Sequence, residues 1–450
     1  MIRLVFADLA ANARIWLGIL IVTVATGAVG AFAAALIETG VSLGGTTLEL
    51  LIGLSSSVIL LTGITALVVL GSMANLTVSL QQRSYALWQL VGIDPGLTRR
   101  VVVTQLAILG LFGAFLGCLC AWPLLQYLFD FVRTPFPGLE TVRLAFGAGS
   151  FYWVICSTAA IVVLGGWRGA RHASRIAPVK ALREPEPQGA KMGWVRWVTF
   201  GSVVACLSAM MLSFVGADVA FIASQTVFIG PIIAGGLAAI GPILFPALLG
   251  AWTAVVPRGA SAAWYLARHC AGYRLSQSTA AISPLMVAIA MAGGLYSAGE
   301  TLANASSVQT NTPQSFAPGV DAVVLILGGP LLLSALGAAM TVFMSGHARR
   351  REFALIQSAG GTHRTILAAA IFEAVIYMLT AAILGTFATA ATGLITAWAV
   401  STTLPGTAAS FGIAPTTAVA GAGLLLLLVA TVIPTAVALR HDVPGTLAST

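Results

Sequence analysis

Charged side chains are scarce in this sequence. Asp, Glu, Lys and Arg make up 8% of its 450 residues, whereas they make up about 25% of an average soluble domain. Hydrophobic residues make up 58%, and the mean hydropathy is +0.97. So few charges exclude a water-soluble globular enzyme. They predict an all-α polytopic membrane protein, because helices satisfy their own backbone hydrogen bonds in lipid.

Lysine is the rarest cation and occurs only as Lys180 and Lys191. A phosphate-binding P-loop requires Gly-Lys-Ser/Thr, but Val179 precedes the first lysine and Ala190 precedes the second. The chain therefore has no Walker A motif and is predicted not to be an ATPase. Nucleic-acid binding is also disfavoured, because the basic residues are spread over several short segments.

Metal ligands and catalytic groupings are missing as well. The cysteines lack the Cys-x-x-Cys spacing of zinc sites and redox motifs, and the histidines have no Cys, Asp or Glu at ligand spacing. We therefore expect no metal site and no catalytic residue. The residues concerned are Cys118, Cys120, Cys156, Cys206 and Cys270, and His172, His269, His347, His363 and His441.

Long apolar runs are abundant. About 20 apolar residues cross the hydrocarbon core as a helix, and ten such runs occur. They are 15–37, 50–78, 101–129, 150–167, 197–216, 224–256, 278–299, 320–345, 365–399 and 416–438. Pro231, Pro242 and Pro246 predict that the sixth run is bent, or is broken into a helix and a re-entrant piece.

The basic residues predict the orientation, because Lys and Arg favour cytoplasmic segments. With both termini in the cytoplasm, every Lys and Arg except Arg133 and Arg143 lies on the cytoplasmic side. Acidic residues are more frequent in the predicted outer segments. None of the longest outer connections could form a domain with its own core; they are 38–49, 130–149, 300–319 and 400–415.

The second half of the sequence repeats a pattern of the first. When Arg83 is aligned with Arg351 without a gap, Leu87 meets Leu355 and Gly92 meets Gly360. Further along, Gln105 meets Glu373. The context repeats too, since both copies have a short mixed helix, a glycine, a turn and a long apolar helix.

The turn chemistry of both copies is typical of helix boundaries. Gly92 and Gly360 suit the left-handed position after a helix, and Asp94 and Thr362 can cap the helix that follows. Each of these helices then carries a small-xxx-small pair, which predicts close packing against another helix. The pairs are Gly113 with Gly117, and Ala381 with Gly385.

The repeat predicts three regions. Residues 1–183 and 260–450 each form a four-helix repeat, and residues 184–259 form a linker with two connecting helices. Both repeats have the same orientation, because an even number of spans separates them. This is a parallel duplication, unlike the inverted repeats of many secondary transporters.

The repeated segments resemble the FtsX-like permease family of ABC transporters, whose members include the MacB, LolC and BceB types. "RRREFALIQSAGGTHRTILAAAIFEAVIYMLTAAILG", residues 349–385, is similar to the family motif of a basic–acidic helix, a glycine turn and a helix with an acidic residue. Residues 83–117 follow the motif less closely, because Ser84 replaces the usual Glu and Gln105 replaces the second acid. The two-repeat, ten-helix plan resembles the BceB type.

The resemblance implies a permease in a bacterial cytoplasmic membrane, driven by a separate ATPase that binds ATP and Mg. Two coupling segments, 82–98 and 350–366, would contact two copies of that ATPase. The residues implied in coupling are Arg83, Tyr85, Leu87, Trp88, Gly92 and Asp94 in the first segment, and Arg349, Arg350, Arg351, Glu352, Phe353, Leu355, Gly360 and Thr362 in the second.

Other interpretations of these residues stay open at this point. Each short helix is also compatible with an interfacial helix whose cations snorkel toward water. Gln105 and Glu373 are polar residues inside apolar helices, where an acid is costly and often functional. A hydrogen bond between helices and a role in proton coupling are both compatible with Glu373.

Three functions remain on sequence grounds. The first is an exporter or extractor of a hydrophobic or amphipathic substrate such as a lipid, lipopeptide or drug, since the chain lacks the large outer domain that many relatives carry. The second is a sensory or regulatory complex, which senses antimicrobial peptides with a histidine kinase or controls a cell-wall hydrolase. The third is an ion-driven carrier.

Overall fold

The computed structural model of the chain is a bundle of α-helices. It describes residues 2–132, 142–173, 193–257, 261–310, 320–348, 355–358, 360–403 and 407–439, and no strand occurs in these ranges. The helices are α1 (Ile2–Ala11), α2 (Ala13–Leu43), α3 (Gly45–Leu80), α4 (Gln82–Leu90), α5 (Pro95–Ala121), α6 (Leu125–Val132), α7 (Ala148–Ala173), α8 (Trp194–Phe214), α9 (Val219–Thr226), α10 (Ile229–Ala239), α11 (Gly241–Thr253), α12 (Ala262–Tyr273), α13 (Leu275–Thr310), α14 (Val320–Ala348), α15 (His363–Ser401) and α16 (Ile413–Ala438).

Ten helical stretches within the described ranges are long and apolar enough to cross a membrane, which confirms the all-α polytopic prediction. They are Ile15–Leu43, Thr47–Leu80, Pro95–Phe131, Ala148–Trp167, Trp194–Phe214, Val219–Ala239, Gln277–Ser306, Val323–Met344, His363–Ser401 and Ile413–Ala436. Several exceed the length that a bilayer requires. α15 has 39 residues, about 58 Å at the rise of an α-helix, so it tilts or extends beyond the hydrocarbon.

The sixth predicted run, 224–256, is divided in the structure. A span ends at Ala239, and a separate apolar helix, α11, begins at Gly241. Pro242 lies in the first turn of α11, where its missing N–H costs nothing, and Pro246 lies inside that helix without ending it. The predicted break of this run into two pieces is therefore confirmed.

The connection predicted as an outer loop at 38–49 is almost entirely helical. α2 continues to Leu43 and α3 begins at Gly45, so only Gly44 separates them. Gly44 and Gly45 have φ of +68° and +61°, which residues with a Cβ adopt at a cost. We call this end of the bundle the outer end, and the opposite end, which carries α4, the inner end.

The packing of the helices follows the same plan twice. We call α2, α3, α5 and α7 unit one, and α13, α14, α15 and α16 unit two. In each unit the first helix packs extensively against the third, and the fourth packs against the second and third. Between the units, α3 packs on α14, and the α2–α14 contact is mirrored by an α13–α3 contact. The boundaries 1–183, 184–259 and 260–450 stay a prediction.

The two units have the same orientation. Thr62 lies beside Gly329, and Val69, further along α3, lies beside Gly337, further along α14. Residue numbers therefore rise together along this contact, so α3 and α14 run parallel. This geometry agrees with a parallel duplication.

The predicted small-residue pairs lie at tight helix contacts. A Cβ at Gly113 would lie 2.7 Å from the Cβ of Thr23, and one at Gly117 would lie 2.8 Å from the backbone nitrogen of Ala28. In unit two, a Cβ at Gly385 would lie 2.6 Å from the Cβ of Ile289, and Ala381 is fully buried. These residues let the first and third helices of each unit approach closely.

Candidate functional site

The first segment predicted to couple to an ATPase, 82–98, begins where α3 ends. Only Gln81 separates α3 from α4. On α4, Tyr85 and Ala86 are fully buried against the bundle, and the Tyr85 ring packs edge-on against Trp88 with centroids 5.4 Å apart. The opposite face carries the exposed apolar residues Leu87, Leu90 and Val91. α4 is therefore fixed to the bundle on one face and presents an apolar face on the other.

A Schellman motif ends α4. The N–H of Gly92 donates to the carbonyl of Gln89 at 3.1 Å, and the N–H of Ile93 donates to the carbonyl of Trp88 at 3.0 Å. Gly92 has φ of +96°. This is the left-handed residue that the motif requires after a helix, so the predicted role of Gly92 in the turn is confirmed.

The second copy ends with the same two hydrogen bonds. The N–H of Gly360 donates to Gln357 at 3.0 Å, and the N–H of Gly361 donates to Ile356 at 2.8 Å. Gly360 has φ of +90°. These residues align one for one with the first copy, so both segments end in the same type of turn.

Both turns lead into capped helices, as predicted. Asp94 accepts hydrogen bonds from the N–H groups of Gly96 at 2.9 Å and Leu97 at 3.3 Å at the start of α5. Thr362 accepts one from the N–H of Thr365 at 3.2 Å at the start of α15. Such caps satisfy backbone donors that no helical carbonyl can reach.

Leu355 is the described apolar residue of the second segment that corresponds to Leu87. Their side chains are 52% and 46% exposed. The predicted coupling residues Arg349, Arg350, Arg351, Glu352 and Phe353, and the side chain of Arg83, lie outside the described residues. Their roles stay predictions.

A buried carboxylate joins α1 to α5 beneath α4. Nε2 of Gln105 donates to Oδ2 of Asp8 at 2.8 Å, and Nδ2 of Asn12 donates to Oδ1 of Asp8 at 2.9 Å. Asp8 is 7% exposed. The sequence repeat points to Gln105 but not to Asp8, although Asp8 is the only acid in the first 37 residues.

Tyr85 extends this polar cluster into α4. Its hydroxyl donates to Oε1 of Gln81, which connects α4 to the end of α3. Burial raises the pKa of the Tyr85 hydroxyl above its ordinary range, and the negative charge of Asp8 raises this pKa further. Tyr85 is therefore a neutral donor at physiological pH.

The second half of the chain has an equivalent polar cluster, but its carboxyl group lies on α15, the span that follows the second coupling segment. Glu373 on α15 is 4% exposed and accepts a hydrogen bond from the Tyr377 hydroxyl at 2.5 Å. Oγ of Ser278 on α13 lies 3.4 Å from that hydroxyl. Gln105 and Glu373 thus occupy equivalent positions with different partners: Gln105 bonds to another helix, whereas Glu373 bonds to Tyr377 of its own helix, and Tyr377 in turn contacts α13.

The comparisons with known proteins agree with this geometry in the second half of the chain. Residues 322–443 match the FtsX-like permease C-terminal family. No curated protein matches the chain. The matched segment extends from α14 to α16 and includes the second coupling segment and Glu373. The resemblance seen in the sequence is confirmed there, and the matched domain is a transmembrane module rather than a catalytic one.

Proposed function

We propose, from the premise that residues 322–443 form an FtsX-like permease C-terminal domain, that the chain is the permease subunit of an ABC transporter. It couples ATP hydrolysis by a separate ATPase, which binds ATP and Mg, to export or extraction of a hydrophobic or amphipathic substrate. A permease of an ATPase-driven complex is the function that the family implies. The identity of the substrate class, the copy number of the ATPase and the orientation in the membrane are our proposals.

The observation that carries the proposal is the matched pair of inner-end segments. Leu87 and Leu355 are comparably exposed, and each is followed by the same Schellman turn and a capped helix. Two such surfaces on one chain suit two copies of one partner. We therefore propose one permease with two ATPase subunits, bound on the cytoplasmic side where the basic segments lie.

The outer end supports a substrate that enters from the bilayer. α2 and α3 are joined by a single residue there, so no domain that captures a soluble substrate is inserted between these two spans. Between the units the contact is mostly apolar: Gly18 lies against Met344, Gly329 against Val29, and Gly337 against Val69, with the hydroxyls of Thr62 and Thr65 as polar groups among them. Such a surface does not favour the passage of a polar solute.

The test is purification of the tagged chain from native membranes in mild detergent, with identification of the proteins that accompany it. We expect an ATPase at two copies per permease. The variant L87E/L355E should lose the ATPase, because a charge in a desolvated apolar contact is costly. The control V41E places the same charge on the exposed Val41 at the outer end, and should keep it. The proposal is contradicted if the ATPase stays bound to L87E/L355E. It is also contradicted if the unmodified complex contains ATPase and permease in a ratio other than two to one.

A further inference from the structure

Unit one is fastened at its outer end by a carboxylate and a hydroxyl on α2. Oε2 of Glu38 accepts hydrogen bonds from the N–H of Gly147 at 2.8 Å and from the hydroxyl of Ser150 at 2.5 Å. The neighbouring Thr39 accepts one from the N–H of Ala145 at 2.9 Å. These three bonds join the first span of the unit to the start of its fourth span, α7.

Unit two has the equivalent arrangement on α13. Oε2 of Glu300 accepts a hydrogen bond from the hydroxyl of Ser410, and Thr301 accepts one from the N–H of Ser410 at 3.1 Å. Oγ of Ser297 donates to the carbonyl of Ser410 at 2.5 Å. The first span is again joined to the segment that leads into the fourth span, α16.

The sequence carries the same signal at both places. A Glu-Thr pair, 38–39 and 300–301, lies about one turn before the outer end of the first span of each unit. A Phe-Gly pair, 146–147 and 411–412, precedes the fourth span. Neither glycine position has room for a Cβ. A Cβ at Gly147 would lie 2.5 Å from Oε1 of Glu38, and one at Gly412, where φ is +49°, would lie 2.9 Å from the carbonyl oxygen of Gly293.

We propose that these two groups are outer clamps. Glu38 and Thr39 in unit one, and Glu300 and Thr301 in unit two, are positioning residues that keep the first and fourth spans of a unit joined while the ATPase drives the inner end. Each unit then moves as a rigid body, and the motion is confined to the surface between the units. This inference rests on the proposed function.

The chemistry of the clamps and of the surface between the units favours rigid units that move against each other. Hydrogen bonds to a carboxylate are short, strong and directional, so the clamps resist separation of the spans that they join. Between the units, Val29, Val69 and Met344 contact glycines of the facing helix. These apolar side chains can exchange neighbours without leaving a polar group unpaired, and the hydrogen bond that joins the Thr65 hydroxyl to Sδ of Met291 between the units, at 3.4 Å, is a weak one.

The first experiment measures distances between spin labels in the permease–ATPase complex in lipid nanodiscs. One pair, V41C/Y152C, reports on the ends of α2 and α7 within unit one, and the other, V41C/I413C, reports between the units; all three parent side chains are exposed. The native cysteines are first replaced by serine or alanine. We expect ATP binding to shift the 41–413 distance and to leave the 41–152 distance unchanged.

Clamp variants test the role of Glu38 without nucleotide. In the permease alone, E38A should broaden the 41–152 distance distribution, because the N–H of Gly147 and the Ser150 hydroxyl lose their acceptor. E38Q retains an acceptor oxygen and should keep the narrow distribution. A distribution that stays narrow in folded E38A contradicts the clamp, and so does a 41–152 distance that changes with ATP.

Two disulfides provide a matched functional test, since each replaces one glycine and one valine. G30C/V154C joins α2 to α7 within unit one, where a Cβ at Gly30 lies 3.1 Å from Cγ1 of Val154. V69C/G337C joins α3 to α14 between the units, with the two Cβ atoms 3.4 Å apart, close to disulfide geometry. We expect the oxidised complex to keep ATP hydrolysis in the first variant and to lose it in the second, with recovery on reduction.

The outcomes separate the clamp from the proposed function. A chain that binds no ATPase contradicts the proposed function. A complex that hydrolyses ATP but is stopped by the 30–154 disulfide contradicts the clamp alone. A complex that keeps full ATP hydrolysis with the 69–337 disulfide also contradicts it, because the motion is then not located between the units.

Discussion

Gln105 donates a hydrogen bond to Asp8 at 2.8 Å, and the two residues are separated by 97 positions in the chain. This bond attaches the short helix α1 to the span that follows the first coupling segment. In unit two the residue equivalent to Gln105 is the carboxylate of Glu373. The buried carboxyl group thus lies on α1, beside unit one, in the first half and on α15, within unit two, in the second half.

This difference predicts that the carboxyl group of Asp8 can be moved to position 105. Q105E places two carboxylates in contact in a buried site, and it should lower the free energy of unfolding by about 3 kcal/mol. D8N/Q105E moves the charge to α5 and should regain most of that loss, because the amide introduced at position 8 can donate to the new carboxylate. Thermal unfolding in detergent measures both variants. A double variant no more stable than Q105E contradicts the direct contact.

The Schellman turns predict a cost for any Cβ at their left-handed residue. G92A and G360A should each lower stability by about 1 kcal/mol and reduce ATP hydrolysis by the complex, because the short helix would leave its turn at a different angle. G53A is the control, because its Cβ meets nothing within 4 Å and its helical position favours Ala. Equal loss of activity in G53A and G92A would contradict this account.

Close packing of α2 on α5 predicts that Gly117 tolerates no side chain. A Cβ there would meet the carbonyl of Val24 and the backbone nitrogen of Ala28, so G117A must separate two helices. We expect a loss of monodisperse protein on gel filtration. G201A on α8 adds the same methyl group where nothing lies within 4 Å, and should leave the elution profile unchanged.

A substitution of Glu373 distinguishes an ATP-driven permease from an ion-driven carrier. E373Q keeps an acceptor oxygen for the Tyr377 hydroxyl but cannot bind or release a proton. If Glu373 only accepts the hydrogen bond of Tyr377, E373Q should keep ATP hydrolysis and its pH profile. If a folded E373Q variant still binds the ATPase but loses ATP hydrolysis, proton coupling through Glu373 would be favoured.

Local chemistry made several features predictable from the sequence. The ten spans follow from hydropathy, and the ends of α4 and the starts of α5 and α15 follow from Gly92, Gly360, Asp94 and Thr362, whose partners lie within five residues. The division at Ile240 followed from the prolines. In contrast, the loop predicted after Glu38 was wrong, because the span continues for another turn before Gly44 ends it.

Contacts between distant residues were not predictable in the same way. Asp8 and Glu38 are single acids in apolar helices, and hydropathy assigns them only a side of the membrane. Their partners, Gln105 and Gly147, are 97 and 109 positions away. The repeat offered the one usable signal, since Glu-Thr and Phe-Gly recur in both halves, but pairs this short stand out only once the structure brings them together.

The junction at Gln81 has a consequence for how the two halves communicate. α3 carries α4 at its inner end and also packs along α14, the helix of unit two that leads toward the second coupling segment. A displacement of α4 can therefore reach the opposite half through one helix, without crossing a loop. If both coupling segments bind an ATPase subunit as proposed, we expect binding at one segment to shift the position of the other.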